Sequence, residues 1–424
     1  MTVTYPVAIA PPLALIGATL FPAIAVAQEE GPSGIRTVFG FSSRLEAQDN
    51  RSLAPERLGS SFEASMGLSF GLLTETRSSR FSFDAEGRLR SIDTPNDSVR
   101  NGIISPRLTL NYEHESTNAK LSFNTLVRED DLSTNDFLLN EDIEVIASGG
   151  ATRRYARLEG RVDWGTNAPF GYGLLARYED TSYRDGTVTG VSGSILNDSQ
   201  RSSIGISTRL DFSKTISLNS ELVASEFKEA SSSESRTTIS LDNRLTIDRP
   251  LGAVVFDLKA FELEEGTRVE TALGRDFDTP LGTLSFELGA TRGVTGDTFP
   301  TGSLSYSHNF PRGILTFGIS RDVSSSNDQD IERLNTRLRF SYLQELTPLS
   351  SMRITGNWAE TEETETSLKS ANASFGATYS YALTQDWSVD VGYLHQYRGD
   401  SIVADSARSN TLFVELRRLF TGSF

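Results

Sequence analysis

The chain reads as all-β: a transmembrane, antiparallel, up-and-down β-barrel of sixteen to twenty strands, with about twenty the best count. Three observations predict this. Apolar and polar residues alternate with strict period two along most of the sequence. Short turns, several written Asp/Asn-x-Pro-x-Gly, punctuate that alternation roughly every thirty to fifty residues. Between them fall longer, polar and acidic connections, so that one class of reversal is short and the other long.

The composition narrows the class. Of 424 residues only 37% are apolar, few for a large soluble core, and no change in composition divides the chain into domains after the first thirty or so. The 56 acidic residues outnumber the 40 basic ones, which argues against a nucleic-acid partner. No cysteine is present, so a disulfide framework or thiolate metal site is excluded. No cofactor is expected.

Residues 7–26 are apolar and uncharged, and Ala25-Val26-Ala27 matches the small-residue cleavage pattern of a secretory leader. Pro11, Pro12 and Pro22 spoil a continuous membrane helix. We expect a signal peptide over 1–27 and a single barrel domain over 28–424. No later apolar run is long enough for a spanning helix.

The elements follow in order. In RFSFDAEGRLRS, Phe81, Phe83, Ala85, Gly87 and Leu89 take one face and Ser82, Asp84, Glu86, Arg88 and Arg90 the other. The pattern recurs in RLTLNYEH, ARLEGRVDW, SIGISTRLDF, TLSFELGA, RLNTRLRFSY and SFGATYSYAL. Nine short turns separate such runs: TRSSR, STNAK, NAPFG, FSKTI, DRPLG, DTPLG, NFPRG, LTPLSS and LTQDW. They imply hairpins of strands about ten residues long, with periplasmic turns and extracellular loops. The opposite connections include 128–145, 324–332 and 359–367. Trp164, Phe170, Phe212, Phe277, Phe310, Tyr381 and Trp387 lie beside the short turns, as an interfacial girdle requires.

The last stretch, TLFVELRRLFTGSF, keeps Leu412, Val414, Leu416, Phe420, Gly422 and Phe424 on one parity and ends on an aromatic. It resembles the closing strand of Gram-negative outer-membrane proteins. That resemblance, to porin-like barrels including alphaproteobacterial ones, covers the mature chain at class level. It implies a place in the outer membrane among lipid and lipopolysaccharide, an assembly signal at Phe424 read by the barrel-assembly machinery, and passage of small hydrophilic solutes. Arg418 departs from the pattern by falling on the lipid parity.

Catalysis has little to draw on. His114, His308 and His395 occupy separate strands, and Ser307 and His308, being adjacent, point to opposite faces. We expect no enzyme. A TonB-dependent transporter carries a plug domain ahead of its barrel, and strands that begin near residue 35 set that reading aside. The expected function is a diffusion porin whose charged lumen is lined by Arg88, Arg90, Arg107, Arg157, Arg161, Arg177, Arg209, Arg337 and Arg339. The loop at 129–150 offers a constriction through Asp130, Asp131, Asp136, Glu141, Asp142 and Glu144. The alternative is a non-conducting barrel for polysaccharide or lipid export, adhesion or envelope structure. Solute identity and oligomeric state are not legible.

Overall fold

The computed structural model describes residues 34–57, 59–95, 97–132, 151–186, 197–231, 235–325, 332–400 and 405–423. The expected leader over 1–27, Asp136, Glu141, Asp142, Glu144 and Phe424 therefore lie outside the described residues.

Twenty strands run in sequence: β1 (Gly34–Gln48), β2 (Ser61–Glu75), β3 (Ser79–Thr94), β4 (Asp97–Glu115), β5 (Ala119–Asp131), β6 (Thr152–Trp164) and β7 (Phe170–Arg184). They continue as β8 (Ser199–Ser213), β9 (Ile216–Glu229), β10 (Ser235–Arg249), β11 (Gly252–Leu263), β12 (Gly266–Thr279) and β13 (Gly282–Arg292). The circuit ends with β14 (Thr298–Phe310), β15 (Gly313–Ser325), β16 (Glu332–Thr347), β17 (Ser350–Glu363), β18 (Lys369–Ala382), β19 (Trp387–Asp400) and β20 (Asp405–Ser423). Each pairs antiparallel with the next, and β20 pairs with β1 from Arg36↔Ser423 to Gln48↔Thr411, so the sheet closes on itself. Closure leaves no edge to template aggregation.

All nine short turns lie at one rim, which also holds the first residue of β1 and the last of β20. The turn chemistry is local. Gly252 in DRPLG sits at φ +112°, and a Cβ there would collide with the carbonyl oxygen of Asp276; one at Gly282 in DTPLG would meet that of Ser307.

Two expectations are corrected. The strands are 11 to 19 residues long rather than about ten, because they continue into stretches read as loops. Residues 359–363 belong to β17 and 128–131 to β5. Above the apolar belt both faces turn polar and the alternation fades, but the backbone ladder carries on, as in Thr361↔Asn335 and Asp130↔Arg153. The second rim is also uneven: β11 and β12 are joined by only Glu264 and Glu265.

The two faces separate by register. Leu288 (70% exposed), Ile103 and Ile204 (both 69%) and Phe212 (65%) share the outer parity with the expected aromatic girdle. The other parity is concave: Arg161 of β6 reaches Glu221 of β9 at 2.8 Å, past two intervening strands. Strands stand about 4.8 Å apart, so only an inward-curving surface lets these side chains meet. Among the described residues no apolar core fills the barrel. Its buried set is mostly polar, Glu363, Ser409, Gln396 and Thr411 among the most enclosed. Arg418 keeps its place on the outer parity by stacking on Phe420 at 4.1 Å and Trp387 at 5.1 Å, which covers its charge at the interface.

Candidate functional site on the inner wall

Period two sends every second side chain of each strand inward, so the inner wall is written in the polar half of the alternation. The register places Arg88, Arg90, Arg107, Arg157, Arg161, Arg177, Arg209, Arg337 and Arg339 on that face. What the sequence does not reveal is how many of them are tied to acids.

Arg161 is the hub. Its Nε donates to Asp163 at 3.0 Å, one terminal nitrogen to Glu221 at 2.8 Å and the other to Ser207 at 3.1 Å, so three strands hold one guanidinium. Beside it Arg209 pairs with Asp211 at 3.3 Å and donates to the carbonyl oxygens of Gly165, Thr166 and Ala168, fastening the β6–β7 turn. These two arginines, with Lys120, Asp163, Glu221 and Arg244, line a recess of about 500 Å³. Higher on the wall Glu159 accepts from Arg157 at 2.6 Å and Arg177 at 2.7 Å, while the Tyr155 hydroxyl donates to Glu179 at 2.8 Å. Arg337 meets Asp322 at 3.4 Å. Each half-exposed pair contributes about 0–1 kcal/mol to stability. Their larger effect is geometric: a guanidinium held by several acceptors keeps a fixed direction.

The acidic constriction is corrected in part. Asp130 and Asp131 stand in β5, where Asp130 pairs with Arg128 at 3.2 Å and Asp131 with Arg90 at 2.8 Å. They are wall residues, not loop residues.

A second feature of the wall is absent from the sequence reading. Inner-face aromatic rings carry guanidinium groups: Arg44 over Phe413 at 3.9 Å, Arg268 over Phe261 at 4.3 Å, Arg128 over Tyr155 at 5.2 Å and Arg201 over Phe227 at 6.0 Å. An aromatic on the charged parity of a strand was the available signal, and it becomes readable only with the register.

The histidines lie elsewhere. His308 lies on the outer face between Tyr306, on which it stacks at 6.0 Å, and Phe310, which it meets edge-on at 4.5 Å. His395 Nδ1 lies 2.9 Å from Asn410 Oδ1. His114 Nδ1 is 2.8 Å from Ser79 Oγ, a pair not foreseen from sequence. It sits on the outer parity at the short-turn rim. Among the described residues no group of three or more His, Cys, Asp or Glu is arranged to hold a metal ion.

No known family profile matches the chain, and no curated protein matches it in sequence. Solved structures match in fold. A variant of the ferric enterobactin receptor PfeA from Pseudomonas aeruginosa is similar with a TM-score of 0.50 at 11% identity, covering 92% of this chain and 81% of that one. The siderophore receptor PirA from the same organism gives 0.48 at 12% identity, with 90% and 80% covered. The copper transporter OprC gives 0.46 at 10%, with 93% and 81% covered.

The fold is that of a large outer-membrane β-barrel, and the outer membrane is its place. The expectation of a passive diffusion porin is overturned here, because the barrel this chain resembles at a TM-score of 0.50 is named a ferric enterobactin receptor, not a porin. The export, adhesion or structural alternative fits no better.

Proposed function

We propose that this chain is a receptor-type transporter of the outer membrane, which binds a small polar solute on its inner wall before passing it to the periplasm. The single observation behind the reading is the fixed guanidinium of Arg161, which three neighbours orient at the edge of the recess. Held in this way the guanidinium keeps a fixed direction beside the recess, which suits retention of a solute there. The fold likeness to PfeA, named a ferric enterobactin receptor, supports the class and not the ligand. The nine inner-face arginines belong to this binding wall. The leader over 1–27, the barrel domain over 28–424, the lipopolysaccharide surroundings and the signal at Phe424 for the assembly machinery are the proposed route to the membrane.

The test is saturation. Purified protein in proteoliposomes is offered a panel of small anions, zwitterions and metal chelates. We expect one class to enter or bind saturably and Arg161→Ala to weaken it about tenfold or more, the range expected when a charge-assisted hydrogen-bonding group is lost. Entry that rises linearly with concentration for every solute, unchanged in Arg161→Ala, would sink the proposal.

A further inference from the structure

We infer that the recess beside Arg161 holds a zwitterionic group, an ammonium and a carboxylate a few bonds apart, between Asp242 and Arg244 of β10; this rests on the receptor reading above and names the ligand chemistry of that site.

Most charges around the recess are already satisfied by the wall. Arg161 is held by Asp163, Glu221 and Ser207, and Arg209 by Asp211 and three carbonyl oxygens. Lys120 lies 3.4 Å from Glu113. Asp242 and Arg244 differ. Both line the recess, and their side chains are 49% and 51% exposed. Each stands in register with an opposite charge on β11, Lys259 and Asp257, but at 3.9 and 3.6 Å, longer than a hydrogen bond. Among the described residues neither side chain makes a hydrogen bond.

The neighbours of the two side chains say what each can take. Asp242 stands directly across from Glu221 of β9, and Arg161 gives its terminal nitrogen to Glu221. Two carboxylates opposed on one face repel each other, so a cation placed beside Asp242 relieves a strain that the wall leaves. Arg244 stands across from Asn219, which is neutral. Only its Nη1 is turned to Asp257, and the rest of the guanidinium fork is open to a carboxylate. The spacing then joins the two ligand groups. Asp242 and Arg244 are two positions apart on one strand, hence on one face and about 7 Å apart along it. A short aliphatic chain between an ammonium and a carboxylate spans that distance. A lone anion would leave Asp242 repelled, and a lone cation would leave Arg244 unused. A solute with both groups satisfies both side chains, and the recess, about 500 Å³, has room for the rest of a larger one.

Full-length protein refolded in detergent, checked for heat-modifiable gel mobility, is titrated calorimetrically at neutral pH with γ-aminobutanoate, butanoate and butylamine. We expect the zwitterion to bind saturably and about tenfold or more tighter than either singly charged ion. Asp242→Asn should bring it down to the affinity of butanoate, and Arg244→Gln to that of butylamine. Where a variant does not refold, the comparison of the three ions on the unsubstituted protein tests the inference by itself. Equal affinity for the three, a preference that survives both substitutions, or no saturable binding of the zwitterion overturns the inference. Such a failure leaves the receptor reading intact if another solute of the panel still saturates and still depends on Arg161; linear entry of every solute removes that reading separately.

Discussion

Along β6, Leu158 and Val162 point out to lipid while Arg157, Glu159, Arg161 and Asp163 point in, and the two rows obey different rules. The outer row needs only to be apolar: Leu158 is 44% exposed and exchanges one greasy contact for another. The inner row is specified residue by residue, because each guanidinium has named acceptors. A barrel of this kind can therefore drift in sequence on its outer face while keeping its fold, which agrees with a likeness of 11% identity over nearly the whole chain. Identity of the ligand would be held in the inner row.

Placing a charge on each face tests that contrast most strongly. Leu288→Arg, at the most exposed apolar site of β13, should destabilise the protein by about 2–4 kcal/mol in a bilayer. Ser303→Arg, directly across from Glu287 on the inner parity of β14, should cost less than about 1 kcal/mol. Urea unfolding in vesicles measures both; equal costs would break the distinction between the faces.

The turns give a second, smaller effect. Gly252→Ala forces a side chain into a positive-φ position against the Asp276 carbonyl, and we expect a loss of about 1–3 kcal/mol in the same unfolding experiment. The equivalent change at Gly160, where a Cβ would meet nothing within 4 Å, should be neutral to within about 0.5 kcal/mol.

The β1–β20 seam sharpens the comparison in another direction, through pH. Partial burial works to raise the Asp49 carboxyl, but hydrogen bonds from the Asn410 side-chain amide and backbone N–H, both 2.7 Å, and the nearby Arg57 outweigh it and hold the group below its ordinary value of 3.8. A carboxylate depressed on folding stabilises the seam fully above the ordinary value and loses that contribution as pH falls below it. Hydrogen exchange of the β1 and β20 amides should accelerate below about pH 3.8 in the native protein. In Asp49→Asn the exchange should already be faster at neutral pH, by an equivalent of about 1 kcal/mol, and lose this acid step. An unchanged acid step would mean that another group controls the seam.

A small effect on stability is expected at Arg161 itself. Arg161→Ala should cost at most about 1 kcal/mol of stability, since the side chain is 34% exposed, while solute binding falls by about tenfold. A variant that unfolds instead would assign the arginine to the scaffold and blur the line between the two faces.

Much of the fold was legible because its signals are local. Period two in RFSFDAEGRLRS needs no partner strand to be read, and Pro and Gly in DRPLG impose their backbone angles on the spot. Strand ends were not legible. Glu360 and Glu362 look like loop residues, yet each holds a ladder position in β17 and pairs outward with Lys369, at 3.8 and 3.0 Å. The candidate site was half legible: parity indicates which arginines share a face, but only register brings Arg161 to Glu221, sixty positions away. The same limit hid the Arg201–Phe227 and Arg268–Phe261 stacks, whose members look unrelated until β8 to β12 are aligned. Function was misread because a charged lumen is common to barrels that bind and barrels that leak.

Because Arg36 lies opposite Ser423 at the short-turn rim, the order of strands around the wall is a cycle, and the start of β1 and the end of β20 are only the place where it is cut. A peptide joining them would be another short reversal among nine, and opening the ring at Pro250-Leu251 would give a circular permutant with every ladder but one turn preserved. In such a permutant the present seam, with its Asp49–Asn410 clasp, becomes an interior hairpin, and β10 and β11 become the strands that must find each other last.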